Sequence, residues 1–196
     1  TPAGIAVGGQ GLHWEDSGPF TGEVSGAELA ELGATMVEVG HAERRALFGE
    51  TDEIVARKTL AGLRNGLAPV LCIGEAEPGA PDRAAALCIE QLESALAPAR
   101  RSATGGQLLV AYEPVWAIGA PEPAPPEYVN AVCRALRAHV AGDELFPDAK
   151  VIYGGSAGPG LLPRIAENVD GMFLGRFAHD ANAVRRILDE IDVDDT

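Results

Sequence analysis

Apolar residues in this chain gather in short unbroken runs, separated by longer stretches with helical spacing. Six runs are rich in β-branched residues: Ile5–Gln10, Thr35–Gly40, Pro69–Gly74, Leu108–Glu113, Val151–Gly154 and Gly171–Gly175. Most are continuous rather than alternating, as expected of strands buried on both faces of a parallel sheet. Between them the spacing predicts helices over Gly26–Leu32, Ala42–Phe48 continuing through Asp52–Asn65, Asp82–Ala97, Pro126–Ala141, Gly160–Glu167 and Asn182–Asp192. Thr51-Asp52-Glu53 is a polar, acidic helix start, Asn65-Gly66 is a stop, and Pro126 suits a first helical turn. The stretch Ala120–Pro126 carries four prolines, which lack amide donors, so it reads as a semi-rigid loop.

Alternating strands and helices give an α/β class with a parallel sheet. The pattern alone does not choose between a closed barrel and an open sheet. No linker-like stretch divides residues 1–196, which read as a single domain.

Composition narrows the partners. The chain is 46% hydrophobic and 22% charged, ordinary values for a globular domain. Its net charge of −14 argues against nucleic acid or an anionic membrane as partner, but not against a small phosphate in a locally positive pocket. The acidic stretch Asp189 to Asp195 reads as a solvated, frayed end. No apolar run approaches the roughly 20 residues of a membrane span. Cys72, Cys88 and Cys133 fit no metal or redox spacing and sit in apolar stretches, as core residues do. An odd cysteine count without a secretory segment points to a reducing cytoplasm.

In parallel α/β folds the chemistry lies at the C-terminal ends of strands. Those ends carry Gln10, His41, Glu75, Glu113, Ser156 and the pair Gly175-Arg176. Glu113 precedes Pro114, which keeps it out of helical geometry and projects it from the strand end. Beyond it, Pro114-Val115-Trp116-Ala117-Ile118-Gly119 has the composition of a lid that packs down over a ligand. A glutamate paired with an arginine beside a buried loop fits the local features equally well. His41 ends its strand directly before a helix, whose N-terminal dipole disfavours the imidazolium form. A neutral imidazole there can donate to a carbonyl oxygen, although a capping or core role is also compatible. His13, His139 and His179 lack this placement and read as surface or packing residues. Tyr153-Gly154-Gly155-Ser156 and Leu174-Gly175-Arg176 are turns whose backbone can approach a phosphate, and Gly119 could close over the same anion.

Taken in order, several segments resemble the triosephosphate isomerase family, and the resemblance covers nearly the whole chain. They are Phe20-Thr21-Gly22-Glu23, Gly40-His41-Ala42-Glu43-Arg44-Arg45, Phe48-Gly49-Glu50-Thr51-Asp52-Glu53, Cys72-Ile73-Gly74-Glu75, the run from Ala111 to Gly119, and Tyr153-Gly154-Gly155-Ser156. The resemblance implies a (β/α)₈ TIM barrel. About six parallel strands are present, and the first two βα units of a fold of about 250 residues are lacking. It implies a mechanism in which Glu113 removes a proton next to the carbonyl of a phosphorylated ketose, neutral His41 polarises that carbonyl, and Glu43 supports the polar network beside it. The amides of Gly119, Ser156, Gly175 and Arg176 would hold the phosphate, and Pro114, Val115, Trp116, Ala117 and Ile118 would form the lid. The resemblance implies no metal and no organic cofactor. Family members are usually homodimers of the cytoplasm, serving glycolysis and gluconeogenesis. Gln10 to Glu23 resembles their dimer loop, with Thr21 reaching the neighbour's site.

The chain also departs from the family. The family's Asn-x-Lys segment has no counterpart, since Lys58 falls mid-helix and Lys150 precedes a strand. Fixed positive charge at a developing oxyanion is a major catalytic term. The chain is therefore expected to be part of a longer product and to have little isomerase activity by itself. A six-stranded remnant exposes strand edges and is expected to aggregate or to need a partner. Ala42 replaces the usual Ser, and Ala120-Pro121-Glu122-Pro123 replaces a Thr-Gly-Lys-Thr half of the lid. Arg176 replaces a glycine and either adds a charged contact at the phosphate or points to solvent. Leu12-His13-Trp14 and Gly175-Arg176 resemble a branch that isomerises erythrulose phosphates. The leading expectation is a triose-phosphate isomerase. The alternatives are an erythrulose-phosphate isomerase and a non-catalytic phosphate-binding or assembly module.

Overall fold

Six short strands alternate with helices, as the apolar runs predict. The computed structural model describes residues 4–191. The elements are β1 (Gly8–Gly9), α1 (Gly26–Glu31), β2 (Met36–Val39), α2 (Ala42–Phe48), α3 (Asp52–Arg64), β3 (Ala68–Ile73), α4 (Pro81–Arg101), β4 (Leu109–Tyr112), α5 (Pro126–Val140), β5 (Lys150–Tyr153), α6 (Leu162–Ile165), β6 (Gly171–Met172) and α7 (Ala181–Asp189). Short 3₁₀ turns occupy Val115–Ala117 and Arg176–His179. The strands follow one another through the sheet in chain order, from β1 to β6. The contacts divide the chain into two compact units.

The first unit holds the residues up to Ile73, Glu90–Val110 and Val140–Ala149. Its strands β1, β2 and β3 are parallel, with Gly8 opposite Met36 and Met36 opposite Ala68. All six residues of β3 are buried, so its unbroken apolar run reflects cover on both faces. Helix α3 packs closely on β2, where a Cβ at Gly62 would lie 3.2 Å from Val37 Cγ1. The helix predicted to continue from Ala42 through Asn65 is two helices. Gly49, at φ +68°, closes α2 in the left-handed conformation, and extended Thr51 restarts the ladder by accepting the Ile54 amide at 3.3 Å. Strand β1 is shorter than the predicted Ile5–Gln10, because only Gly8 and Gly9 pair with β2.

The second unit holds Gly74–Ile89, Ala111–His139 and the residues from Lys150 onward. Strands β5 and β6 are parallel, with Ile152 opposite Gly171. The Gly154 amide donates to Tyr112 O at 2.8 Å, tying the end of β5 to the end of β4. In α5, buried Val129, Val132, Cys133 and Leu136 fall at i, i+3, i+4 and i+7, a single apolar stripe. Helix α4 passes the predicted end at Ala97 and contains Pro98. Its last turn is anchored in the first unit by Arg100, which pairs with Asp143 at 2.7 Å and Glu93 at 3.1 Å. Helix α6 covers only Leu162–Ile165 of the predicted Gly160–Glu167, and β6 only the first two residues of Gly171–Gly175. The expected end of the last helix at Asp192 and the tail beyond it lie outside the described residues.

The cysteines are buried and free, as their apolar settings predict. Burial pushes the Cys133 thiol up to about 12 and that of Cys88 higher still, so neither is poised as a thiolate. Among the described residues, no helix is long and apolar enough to cross a membrane.

Candidate active site

Strand β4 ends in Tyr112 and runs straight into Glu113, both buried. Two glycines make room for this glutamate. A Cβ on Gly74 would lie 1.9 Å from the Glu113 carbonyl oxygen, and one on Gly154 would lie 2.6 Å from Glu113 Cγ and 2.7 Å from Oε1. Gly154, which the sequence offers as part of a phosphate turn, therefore also shapes the pocket of the carboxylate.

After Pro114 the chain enters the 3₁₀ turn Val115–Ala117, then an irregular stretch up to Pro126. This is the segment read as a lid. Its first half is fastened by Glu75, just beyond β3. Glu75 O accepts the Val115 amide at 2.9 Å. Glu75 Oε1 accepts Trp116 Nε1 at 2.8 Å, the Tyr128 hydroxyl at 2.9 Å and the Tyr112 hydroxyl at 3.2 Å. Burial pushes both phenols up, with the adjacent carboxylate adding to it, and Tyr128 reaches about 12. Both therefore stay protonated as donors. The strand-end position flags Glu75 in the sequence, but nothing local flags Tyr128, which comes from the first turn of α5.

The second half of the lid is held from β5 and β6. Ser156 sits at φ +55°, uncommon for a residue with a Cβ and a frequent mark of a functional turn. Its hydroxyl lies 2.9 Å from Ala117 O and 2.8 Å from Ala120 O. Arg176 Nη2 donates to Ala120 O and, at 3.3 Å, to Ser156 Oγ. The Tyr153 hydroxyl accepts the Ala124 amide at 3.3 Å and donates to Gly155 O at 3.1 Å. Ser156 and Arg176 thus meet at the lid. Gly119 stands within the lid at φ +72°, and Gly175 directly precedes the 3₁₀ turn that Arg176 opens.

His41 belongs to the first unit, where it caps α2. Its Nδ1 accepts the Glu43 amide at 3.3 Å, so the proton of a neutral ring resides on Nε2. Gly40, at φ +77°, turns the strand end, and Arg45 Nε fixes Gly40 O at 2.9 Å. The Glu43 side chain is exposed. Glu38, half-buried in β2 and not singled out by the sequence pattern, adds a carboxylate here. Burial pushes it up, His41 pulls against this, and Glu43 adds to it. His13 is buried and stacked on Phe20 with centroids 4.0 Å apart, a packing role as read from the sequence. His139 and His179 are exposed.

A cavity of about 420 Å³ in the first unit is lined by Thr21, Trp14, Phe20, Phe48, Glu50 and Lys58, among others. At its wall Glu50 Oε1 accepts Lys58 Nζ at 2.7 Å and Arg44 Nε at 2.8 Å. Burial works to raise the Glu50 carboxyl, but Lys58 and then Arg44 outweigh it and hold the group below the usual carboxylate range. Lys58 is thus mid-helix, as expected, and engaged with Glu50. Among the described residues, no cluster of three or more His, Cys, Asp or Glu side chains is disposed to hold a metal ion.

Comparison with known proteins gives this geometry a setting. The chain matches the family model for triosephosphate isomerase over residues 2–191. It is 54% identical over 186 residues to the L-erythrulose-1-phosphate isomerase of Pectobacterium atrosepticum, covering 95% of this chain and 72% of that protein. It is 44% identical over 190 residues to the triosephosphate isomerase of Leifsonia xyli subsp. xyli, covering 94% and 72%. The crystal structure of triosephosphate isomerase from Bartonella henselae superimposes with a TM-score of 0.78 at 31% identity, covering 95% of this chain and 77% of that one.

Proposed function

The chain belongs to the triosephosphate isomerase family of aldose–ketose isomerases, and on that premise we propose that its substrate is a four-carbon ketose phosphate, L-erythrulose 1-phosphate. The observation that carries the choice is the 54% identity to a protein of that name, against 44% to the triosephosphate isomerase of Leifsonia xyli. Leu12-His13-Trp14 and Gly175-Arg176 support the same branch.

In this reading Glu113 takes the proton from the carbon next to the carbonyl. His41 donates from Nε2 to the carbonyl oxygen, so that an enediol forms. Glu113 then returns the proton to the former carbonyl carbon, while His41 regains its Nε2 proton from the other enediol hydroxyl, whose oxygen becomes the new carbonyl. What supports Glu113 is its buried carboxylate directly before the lid. What supports His41 is the Glu43 amide on Nδ1, which leaves Nε2 as the donor. Glu43 steadies that imidazole. The amides of Gly119, Ser156, Gly175 and Arg176 hold the phosphate, and Pro114 to Ile118 exclude water. No organic cofactor enters the chemistry. Pairing of two copies through Gln10–Glu23, with Thr21 leading, would cover the cavity beside Phe48 and Lys58. The free, buried cysteines suit a reducing cytoplasm. Neither Lys58 nor Lys150 stands at the C-terminal end of a strand, so turnover by these 196 residues is expected to be slow.

The second reading, a triose-phosphate isomerase of glycolysis and gluconeogenesis, rests on relatives of that name at 40–44% identity. Comparing kcat/KM for L-erythrulose 1-phosphate and glyceraldehyde 3-phosphate decides between them. A larger value for the four-carbon sugar is expected, and a larger value for the triose overturns the assignment. Turnover of neither, with inorganic phosphate still bound, would make the chain a phosphate-binding or assembly module.

A further inference from the structure

Two lid carbonyls, Ala117 O and Ala120 O, both point at the Ser156 hydroxyl, at 2.9 and 2.8 Å. A serine hydroxyl carries one proton, so it can donate to only one of them at a time. Within the lid the Ala120 amide reaches Ala117 O at 3.3 Å, whereas Pro121, Pro123, Pro125 and Pro126 have no amide hydrogen to offer Ala120 O. The donor comes from Arg176, whose Nη2 reaches Ala120 O and, at 3.3 Å, the lone pairs of Ser156 Oγ. Arg176 thus gives Ala120 O a charged donor that does not depend on where the single Ser156 proton points. The guanidinium is further placed by Phe177, whose ring centroid lies 5.6 Å from its central carbon.

We infer that Arg176 is a positioning residue for the lid: its side chain latches the Ala120 carbonyl and thereby fixes the segment 114–124 in the conformation seen here. This differs from both alternatives that the sequence leaves open, a charged side-chain contact at the phosphate and a side chain pointing to solvent. It stands whichever sugar phosphate is bound, because every partner in the latch belongs to the protein.

The experiment is hydrogen exchange of the lid amides, followed by mass spectrometry, in the unliganded 196-residue chain. Arg176→Met keeps the stem that lies beside Phe177 and removes every donor. Exchange of the peptide spanning 115–124 is expected to rise about tenfold, with β4 and β5 unchanged. Arg176→Lys, which restores one charged donor, is expected to recover part of the protection. A lid rate in Arg176→Met within about twofold of wild type overturns the latch. So does the converse pattern, in which the unliganded lid is unchanged and only the protection given by added inorganic phosphate is lost. If Arg176→Met proves unstable throughout, Arg176→Lys decides alone, and exchange across the whole chain without a larger change in the lid overturns the inference. Since no turnover is measured, failure of the substrate assignment leaves this result readable.

Discussion

Glu75 and Trp116, separated by 41 residues in the chain, meet through a 2.8 Å hydrogen bond from the indole to the carboxylate. The Val115 amide adds a second tie, to the Glu75 carbonyl. Glu75 also accepts Tyr112 and Tyr128 hydroxyls, so one buried carboxylate satisfies three side-chain donors from three different segments. The large aromatic of the lid is thus seated on an acceptor that also takes the hydroxyl at the end of β4.

Glu75→Gln tests that arrangement. A carboxylate only accepts, whereas an amide turns one acceptor into a donor and faces it toward hydroxyl and indole donors. Hydrogen bonds to a buried charge contribute about 1.5–3 kcal/mol each, and an opposed donor adds a desolvation cost. The substitution is expected to lower unfolding free energy by about 2–4 kcal/mol in urea titrations and to shift Trp116 emission toward that of a solvated indole. Unchanged stability and emission would show that the carboxylate is not what seats Trp116.

The difference between what the chain announces and what it conceals follows from interaction range. Strands β2 to β5 are legible as short, mainly apolar runs, and a strand covered on both faces must be apolar at every position. Buried β3 is the clear example. The break between α2 and α3 is legible in part: Thr51-Asp52-Glu53 marks a helix start, whereas the left-handed turn at Gly49 that ends α2 shows only in the backbone geometry. The places of Glu113 and His41 beyond strand ends, and of an irregular segment after Pro114, are legible in the sequence. The donors that converge on Glu75, and the guanidinium on Ala120 O, are not, because each pairing spans 37 to 56 residues and depends on side-chain reach.

The Glu50–Lys58 pair should make the chain sensitive to acid. Glu50 titrates lower in the fold than its ordinary value near 4.5. Its contribution is therefore complete above about pH 4.5 and is lost as pH falls through the folded-state value. Glu50→Gln is expected to destabilise at neutral pH, by a margin that shrinks as pH falls from about 6 to about 3 in urea titrations. Lys58→Met, which leaves Glu50 with Arg44 alone, is expected to cost about 3 kcal/mol at neutral pH, because it strands much of a buried charge. A margin for Glu50→Gln that does not change with pH would refute the pairing energetics.

Glu38 predicts the opposite sign. Burial raises its folded-state value above the unfolded one, so ionisation disfavours the fold. Stability attributable to this group is greatest at acid pH and declines as pH rises through the interval between its unfolded and folded values. Glu38→Gln, close in shape and uncharged, is expected to raise the urea midpoint at neutral pH and to leave it unchanged near pH 4. A lower midpoint at neutral pH would mean that the carboxylate is held by favourable partners in β2 rather than strained by burial.

Gly74 and Gly154 crowd Glu113 from two directions, and the two clashes differ in kind. An alanine at 74 would drive its Cβ to 1.9 Å from the Glu113 carbonyl oxygen, which is backbone and cannot swing aside. Gly74→Ala is therefore expected to destabilise the chain by about 3 kcal/mol. At 154 the obstructed atoms are Cγ and Oε1 of the Glu113 side chain, at 2.6 and 2.7 Å. That side chain can rotate, so Gly154→Ala is expected to fold with a loss of only about 1 kcal/mol while displacing the carboxylate. For a general base, a displacement of about 1 Å costs on the order of 100-fold in rate. The expected outcome is a Gly154→Ala protein with near-normal urea unfolding, near-normal KM and kcat for L-erythrulose 1-phosphate reduced about 100-fold. Stable Gly154→Ala protein with undiminished kcat would show that the position of the Glu113 carboxylate does not govern the proton transfer, and would remove Glu113 as the base.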